Sequence, residues 1–232
     1  MPPAENFSWG DTFNKAREKE TAAPSLYDQL SEGSQDERYG PREFFNRGGM
    51  KEIFRCEDFS TGREVAMAML SDTRAQYIDV FLREARITAS LQHPNIVPVY
   101  DIGLSDSQQP YFTMKLIQGH SLREVISTAS HNELIDIFIK VCEAVSYAHS
   151  RGIIHLDLKP DNIQISDYGE VQVIDWGLAK VDEVDLDSHK LLLDDEAFYR
   201  ADLEHITLHG EIKGTPGYLS PKQANGSLSE KG

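Results

Sequence analysis

Thiols are nearly absent from this chain: Cys56 and Cys142 are the only two cysteines in 232 residues. Neither has a second cysteine or a histidine at metal-ligand spacing, which excludes a disulfide framework and an ordinary zinc cluster. No apolar run approaches the ~18 residues of a membrane-spanning helix, and no internal repeat is visible. Basic residues are also scarce. Lys and Arg number 23 against 38 Asp and Glu, giving a formal charge of −15. That balance argues against nucleic acid, or an anionic membrane surface, as a general partner. With no signal-peptide-like start, the two isolated thiols fit a reducing, cytoplasmic setting.

The apolar content, 40%, is that of a soluble globular protein. Residues 1–38 are polar and mixed in charge, and are expected to form a flexible N-terminal tail. The alternative is that Trp9, Phe7 and Phe13 dock on the domain that follows, with a short helix over 12–20. From Tyr39 the pattern changes. Short strand-like runs over 41–47, 52–58 and 64–70 are separated by Gly48-Gly49 and by Ser60-Thr61-Gly62. A helical stripe over 76–91 carries Ile78, Phe81, Leu82 and Ala85, and His93-Pro94-Asn95 ends it. Two more strands are predicted over 97–104 and 111–116. Beyond Gly119 come a short helix over 121–127 and a long one over about 132–150. Leu134, Ile137, Phe138, Val141, Cys142 and Val145 recur along the long helix, and Gly152 caps it.

One loop stands out chemically: His155-Leu156-Asp157-Leu158-Lys159-Pro160-Asp161-Asn162, followed by Asp175-Trp176-Gly177. Apolar strands flank it, Ile153-Ile154 on one side and a hairpin of 163–165 and 171–174 on the other. Phosphoryl transfer from Mg-ATP needs such a set. One carboxylate orients a hydroxyl, one ammonium steadies the moving phosphoryl group, and an amide with a second carboxylate holds metal.

These phrases, in this order, resemble a bacterial-type Ser/Thr protein kinase from about Tyr39 onward. Arg83-Glu84-Ala85, Leu91-Gln92-His93-Pro94-Asn95-Ile96-Val97 and Gly214-Thr215-Pro216-Gly217-Tyr218-Leu219-Ser220-Pro221 add to the likeness. The resemblance implies an α+β, two-lobed fold. A five-stranded small lobe with one helix would cover 39–118, and an incomplete, mainly helical large lobe 119–232. It implies Asp157 as catalytic base, Lys159 at the γ-phosphate, Asn162 and Asp175 as ligands of Mg2+ (or Mn2+), and Glu84 as partner of a phosphate-binding lysine. For ATP it implies Asn46, Gly48 and Gly49 in the phosphate loop and Ile53 and Ala66 as adenine walls. Met114 would be the gatekeeper, Lys115 to Ile117 the hinge, and Gln164 the floor, a place that is usually apolar. Thr215 matches the threonine that favours Ser/Thr acceptors, so the expected partner is a protein substrate with a Ser/Thr hydroxyl.

The departures are as informative. The third strand reads Val65-Ala66-Met67-Ala68 where the family has Val-Ala-Ile-Lys, so its lysine is missing. Asn46 and Lys51 replace the first and third glycines of the phosphate loop. With-no-lysine (WNK) kinases show the same relocation, so Lys51 is expected to pair with Glu84 and bind phosphates. Trp176 stands where those kinases use a leucine for chloride, so chloride sensing is not carried over. The alternatives are a solvated Lys51 beside a degenerate site, that is, an ATP-binding pseudokinase or scaffold, or an inactive fragment. Leu156 replaces the arginine that normally pairs with a loop phosphate, which makes control by phosphorylation at Ser188 or Thr207 less expected. Nine carboxylates between Val181 and Ile206 form either a solvated loop or a surface for basic substrates. Lys222 replaces a family glutamate, and the chain stops where the rest of the large lobe would begin. That predicts exposure of apolar residues such as Ile137 and Val141, covered by a partner or a second copy.

Overall fold

The computed structural model describes residues 38–181 and 214–225. The predicted tail up to residue 37, its docking aromatics, the carboxylates from Asp182 onward, Ser188 and Thr207 lie outside the described residues.

The small lobe is built on a central strand. The antiparallel strands β1 (Glu43–Arg47), β2 (Lys51–Asp58), β3 (Arg63–Leu70), β4 (Val99–Leu104) and β5 (Pro110–Lys115) form one sheet in the order β1-β2-β3-β5-β4. Every residue of β3 from Val65 to Leu70 is buried, because both faces of that strand are covered. Ala68 and Leu70 meet Phe81, Leu82 and Ala85 of helix α1 (Ala75–Ser90) and Phe112 of β5. Val65, Met67 and Met69 meet Cys56 and Tyr111 on the opposite face. This doubly covered strand is why its sequence is apolar throughout rather than alternating.

Tyr39, Phe54 and Tyr100 close the second face. Tyr39 pairs with Asp58 as an isolated bridge and stands edge-on to Tyr111, with centroids 5.7 Å apart. Its hydroxyl lies 3.2 Å from both Asp101 and Thr113. Burial pushes that phenol up to about 12. Arg38 donates to Asp58 at 3.1 Å through two nitrogens and to Asp101 at 2.7 Å. Sequence assigns Arg38 to the tail, yet the side chain is bonded into the sheet. Strand β4 begins at Val99 instead of Val97. Val97 donates to Val173 in the large lobe at 3.2 Å, and Pro98, which has no N–H, accepts from Lys115 at 3.1 Å.

The described large lobe comprises β6 (Gly119–Ser121), α2 (Leu122–Val125), α3 (His131–Ser150), β7 (Ile153–Ile154), β8 (Ile163–Ser166), β9 (Val171–Val173), β10 (Lys180–Val181) and α4 (Pro221–Ala224). Sheets β6-β8-β9 and β10-β7 frame the loop 155–162. Ser130 and Glu133 cap the start of α3 reciprocally, and Gly152, at φ +68°, takes the left-handed turn after its end. Ile137, Val141, Ala144 and Ala148 form the buried stripe of α3 against Ile153, Val171, Val173 and Trp176. Ile87, Leu91 and Ile96, from the end of α1 and the chain after it, join this cluster.

The expected exposure of Ile137 and Val141 is therefore corrected: both are buried. Phe138, 66% exposed, and Cys142 fall off the stripe instead. The stripe is centred on Ile137, Val141, Ala144 and Ala148, and Phe138, about 100° further round the helix than Ile137, falls on its solvent side.

Candidate active site

The pairing register sets up the first half of the site. Lys51 lies opposite Leu70 and Ile53 opposite Ala68. Directly paired residues share a face, so the Lys51 stem runs along the face that carries Ala68, toward α1. A longer side chain at Ala68, which is fully buried, would fill that path. The Lys51 ammonium meets the Glu84 carboxylate, and also Asp175 Oδ1 at 2.9 Å. Burial alone would lower this ammonium, but the two carboxylates outweigh it and hold it well above the ordinary lysine range. Burial would likewise raise Asp175, yet Lys51 dominates and keeps it below the usual carboxylate value. Glu84 is pushed up by its burial. Gly177 makes the crowding tolerable, since an added Cβ would stand 3.1 Å from Glu84 Oε2.

The second half is the loop after β7. Asp157 Oδ1 accepts from the Thr215 amide at 2.9 Å and from its hydroxyl at 2.8 Å. Asp157 Oδ2 accepts from Lys159 Nζ at 2.7 Å, and that ammonium also donates to Thr215 Oγ1 at 2.8 Å. The His155 ring is fixed by two backbone partners. Its Nε2 meets the Ile174 carbonyl at 3.1 Å, and its Nδ1 accepts from the Asp157 amide at 3.2 Å. A carbonyl can only accept, so Nε2 carries the proton and the ring is neutral. Burial lowers its pKa in the same sense. The Trp176 ring packs on His155 at 4.6 Å, fully buried, with its indole N–H unpartnered. Leu156 and Asp175 are both left-handed, at φ +61° and +62°. A non-glycine residue there costs on the order of 1–3 kcal/mol, which the surrounding bonds must offset.

Among the described residues no group of three or more His, Cys, Asp or Glu is arranged to hold a metal. Asn162 and Asp175 form a smaller oxygen set. The Asn162 amide nitrogen donates to the Asp157 carbonyl at 2.9 Å, which leaves its oxygen as the free ligand atom. Asp175 keeps a 40% exposed side chain and its second carboxylate oxygen. Two hard oxygens, with phosphate and water to complete the shell, fit Mg2+.

The residues expected around a nucleotide are spread over the two lobes. Asn46, opposite Ile53, turns its side-chain oxygen back onto the Arg47 amide at 2.8 Å. Gly48 and Gly49 form the turn into β2, where the Gly48 amide donates to the Lys51 carbonyl at 2.8 Å. Ala66 is buried opposite Met114. Lys115 ends β5 and its ammonium meets Glu170 at 2.6 Å, and Ile117 follows in the link to β6. Gln164 lies in β8, half-buried, reaching the Asp161 carbonyl at 3.4 Å.

Two further side chains make contacts that have no counterpart in the sequence-based expectations. Arg123 of α2 donates to Asp161 at 3.0 Å and to the Tyr218 hydroxyl at 2.8 Å. Gln223 of α4 donates to the Leu156 carbonyl at 2.7 Å. Both tie the segment 214–225 to the loop 155–162. Nothing in local periodicity announces them, although the spacing Ser220-x-x-Gln223 signals a capping box that marks the start of α4.

A protein-family model described as "Protein kinase domain" matches residues 41–226. The chain is similar to the serine/threonine-protein kinase PknD of Chlamydia trachomatis serovar D, at 38% identity over 84% of this chain and 23% of that protein. It is similar to the PknD proteins of Protochlamydia amoebophila, at 35% identity over 78% of this chain and 20% of that protein, and of Chlamydia muridarum, at 36% over 84% and 23%. The chain thus spans under a quarter of the length of these relatives.

Proposed function

The chain belongs to the protein kinase family, and on that premise we propose that it transfers the γ-phosphoryl group of ATP to serine or threonine hydroxyls of proteins. The observation that carries this reading is the joined constellation: Lys51 on Glu84 and Asp175, and Asp157 held by Lys159 and Thr215. In it Asp157 accepts the hydrogen bond of the acceptor hydroxyl and takes its proton as the new O–P bond forms and the bond to the leaving diphosphate oxygen breaks. Lys159 meets the charge of the moving group. Lys51, oriented by Glu84, takes the phosphate-binding part that strand β3 lacks; a lysine is a point charge and can serve from a neighbouring strand. Asn162 and Asp175 would hold Mg2+ or Mn2+, which when bound would supply neutralisation of the phosphate charge. Ile53, Ala66, Met114, the hinge from Lys115 to Ile117 and Gln164 line the adenine side.

Transfer of labelled phosphate to a Ser/Thr peptide tests the reading. We expect Asp157→Asn to lower kcat by about 10²–10⁴-fold, and Lys51→Ala to lower kcat/KM by about a hundredfold or more. A Lys51→Ala variant as active as the parent would remove the role given to Lys51. Mg-dependent ATP binding without any transfer would leave a nucleotide-binding scaffold.

A further inference from the structure

The peptide that joins Leu156 to Asp157 is gripped from both sides. Its N–H donates to His155 Nδ1 at 3.2 Å. Its C=O accepts from Gln223 Nε2 at 2.7 Å. The orientation of the Gln223 amide is unambiguous, because its oxygen accepts from the Ser220 N–H at 3.1 Å while its nitrogen meets a carbonyl. The residue is 9% exposed, and a buried amide of this kind is held by its partners. Space for the bond exists because residue 214 is glycine. At its φ of +119°, an added Cβ would stand 3.1 Å from the Leu156 oxygen and 3.4 Å from Gln223 Nε2.

The gripped peptide also carries backbone strain. Leu156 is left-handed, a conformation that L-residues hold only under external constraint. An uncompensated turn about ψ of Leu156 would rotate this peptide and carry the Asp157 Cα with it, and so the carboxylate that Thr215 and Lys159 hold.

We infer that Gln223 is a positioning residue for Asp157: its side-chain amide, reaching from α4 into the catalytic loop, fixes the Leu156–Asp157 peptide plane. The inference rests on the reading of Asp157 as the base. Gln223 touches no reacting atom, and it acts on the backbone behind the carboxylate. Its grip is neutral, so it does not depend on a guanidinium at position 156, where this chain has Leu156.

The test uses the full 232-residue chain with two variants. Gln223→Glu keeps the acceptor for Ser220 and removes the donor to Leu156. Gln223→Met removes both polar atoms at similar volume and covers the case in which a buried carboxylate prevents folding. Either variant should lower kcat about tenfold or more, as a misplaced reacting group does, with the KM for ATP within about twofold of the parent. Deuterium uptake should rise over 155–162 and stay unchanged over 65–70. Parental kcat with parental uptake over 155–162 would overturn the inference. So would a loss of kcat matched by loss of melting temperature, ATP binding and protection across the small lobe, which marks a merely structural residue. If the parent transfers no phosphate and Asp157→Asn is no worse, the kinase reading fails. The uptake over 155–162 then decides the role of Gln223 alone.

Discussion

Strand β3 and helix α3 are both the spine of their lobe, yet they are buried in opposite ways. β3 is covered on two faces, so six successive residues from Val65 to Leu70 are inaccessible. α3 is covered on one stripe, and Ile135, Phe138 and Ile139 of its other side are exposed among the described residues. Phe138, Ile139 and Cys142 line an open groove with His93 and Tyr147. The small lobe thus closes its own core, with Arg38 and Tyr39 as the last pieces. In the large lobe the packing is concentrated on the side that faces the loop 155–162. A hydrophobic side chain therefore carries different weight in the two elements, whatever its size.

The sharpest way to break this comparison is a pair of truncations. Met67→Ala in β3 should cost about 3 kcal/mol of unfolding free energy, through lost transfer and a residual cavity. Phe138→Ser should stay within about 0.5 kcal/mol. Denaturant midpoints at unchanged m-value read both, and equal losses would mean that the outer side of α3 is covered in solution.

A smaller effect is expected from Arg38→Ala. It leaves Asp58, only 1% exposed, with Ser60, Thr61 and a more distant Arg63 as partners. The expected cost is about 1–2 kcal/mol, seen as a lower melting temperature. A loss below experimental error would show that the outer face closes without the Arg38 guanidinium.

The smallest effect is in the pH dependence. The hydrogen bond from Arg38, assisted by Thr61, overcomes burial and holds the Asp58 carboxyl at about 2. Its unfolded value is near 4. A depressed folded value favours the native state above about pH 4, and that contribution fades as pH falls toward about 2. Arg38→Met should flatten the acid limb of stability over this window relative to the parent, and an unchanged slope would assign the limb to other carboxylates.

Much of the small lobe is legible in the sequence because its signals are local. Gly48-Gly49 and Ser60-Thr61-Gly62 punctuate the first three strands, and the apolar run of β3 already points to a strand covered on both faces. The approach of Lys51 to Glu84 is legible from an absence, Ala68, combined with a lysine one strand away. What escapes is what depends on register or on long separation. The bond from Lys51 to Asp175 spans 124 positions, and that from Arg123 to Tyr218 spans 95. Gln223 reads locally as a capping residue of α4, and its reach to Leu156 is a tertiary fact. The stripe of α3 shows a different limit. Apolar residues at 137 and 138 satisfy a loose helical count together, but Ile137 faces the core with Val141, Ala144 and Ala148, and Phe138 does not.

Trp176 has an optical consequence. It is one of two tryptophans in the chain, the other being Trp9. Its indole is sealed against His155, directly beside the metal-binding candidate Asp175. With Trp9 replaced by phenylalanine, the remaining emission would come from this single position. A blue-shifted spectrum would then mark the sealed ring, and a red shift or altered quenching on adding nucleotide would follow Asp175 in real time without an attached dye.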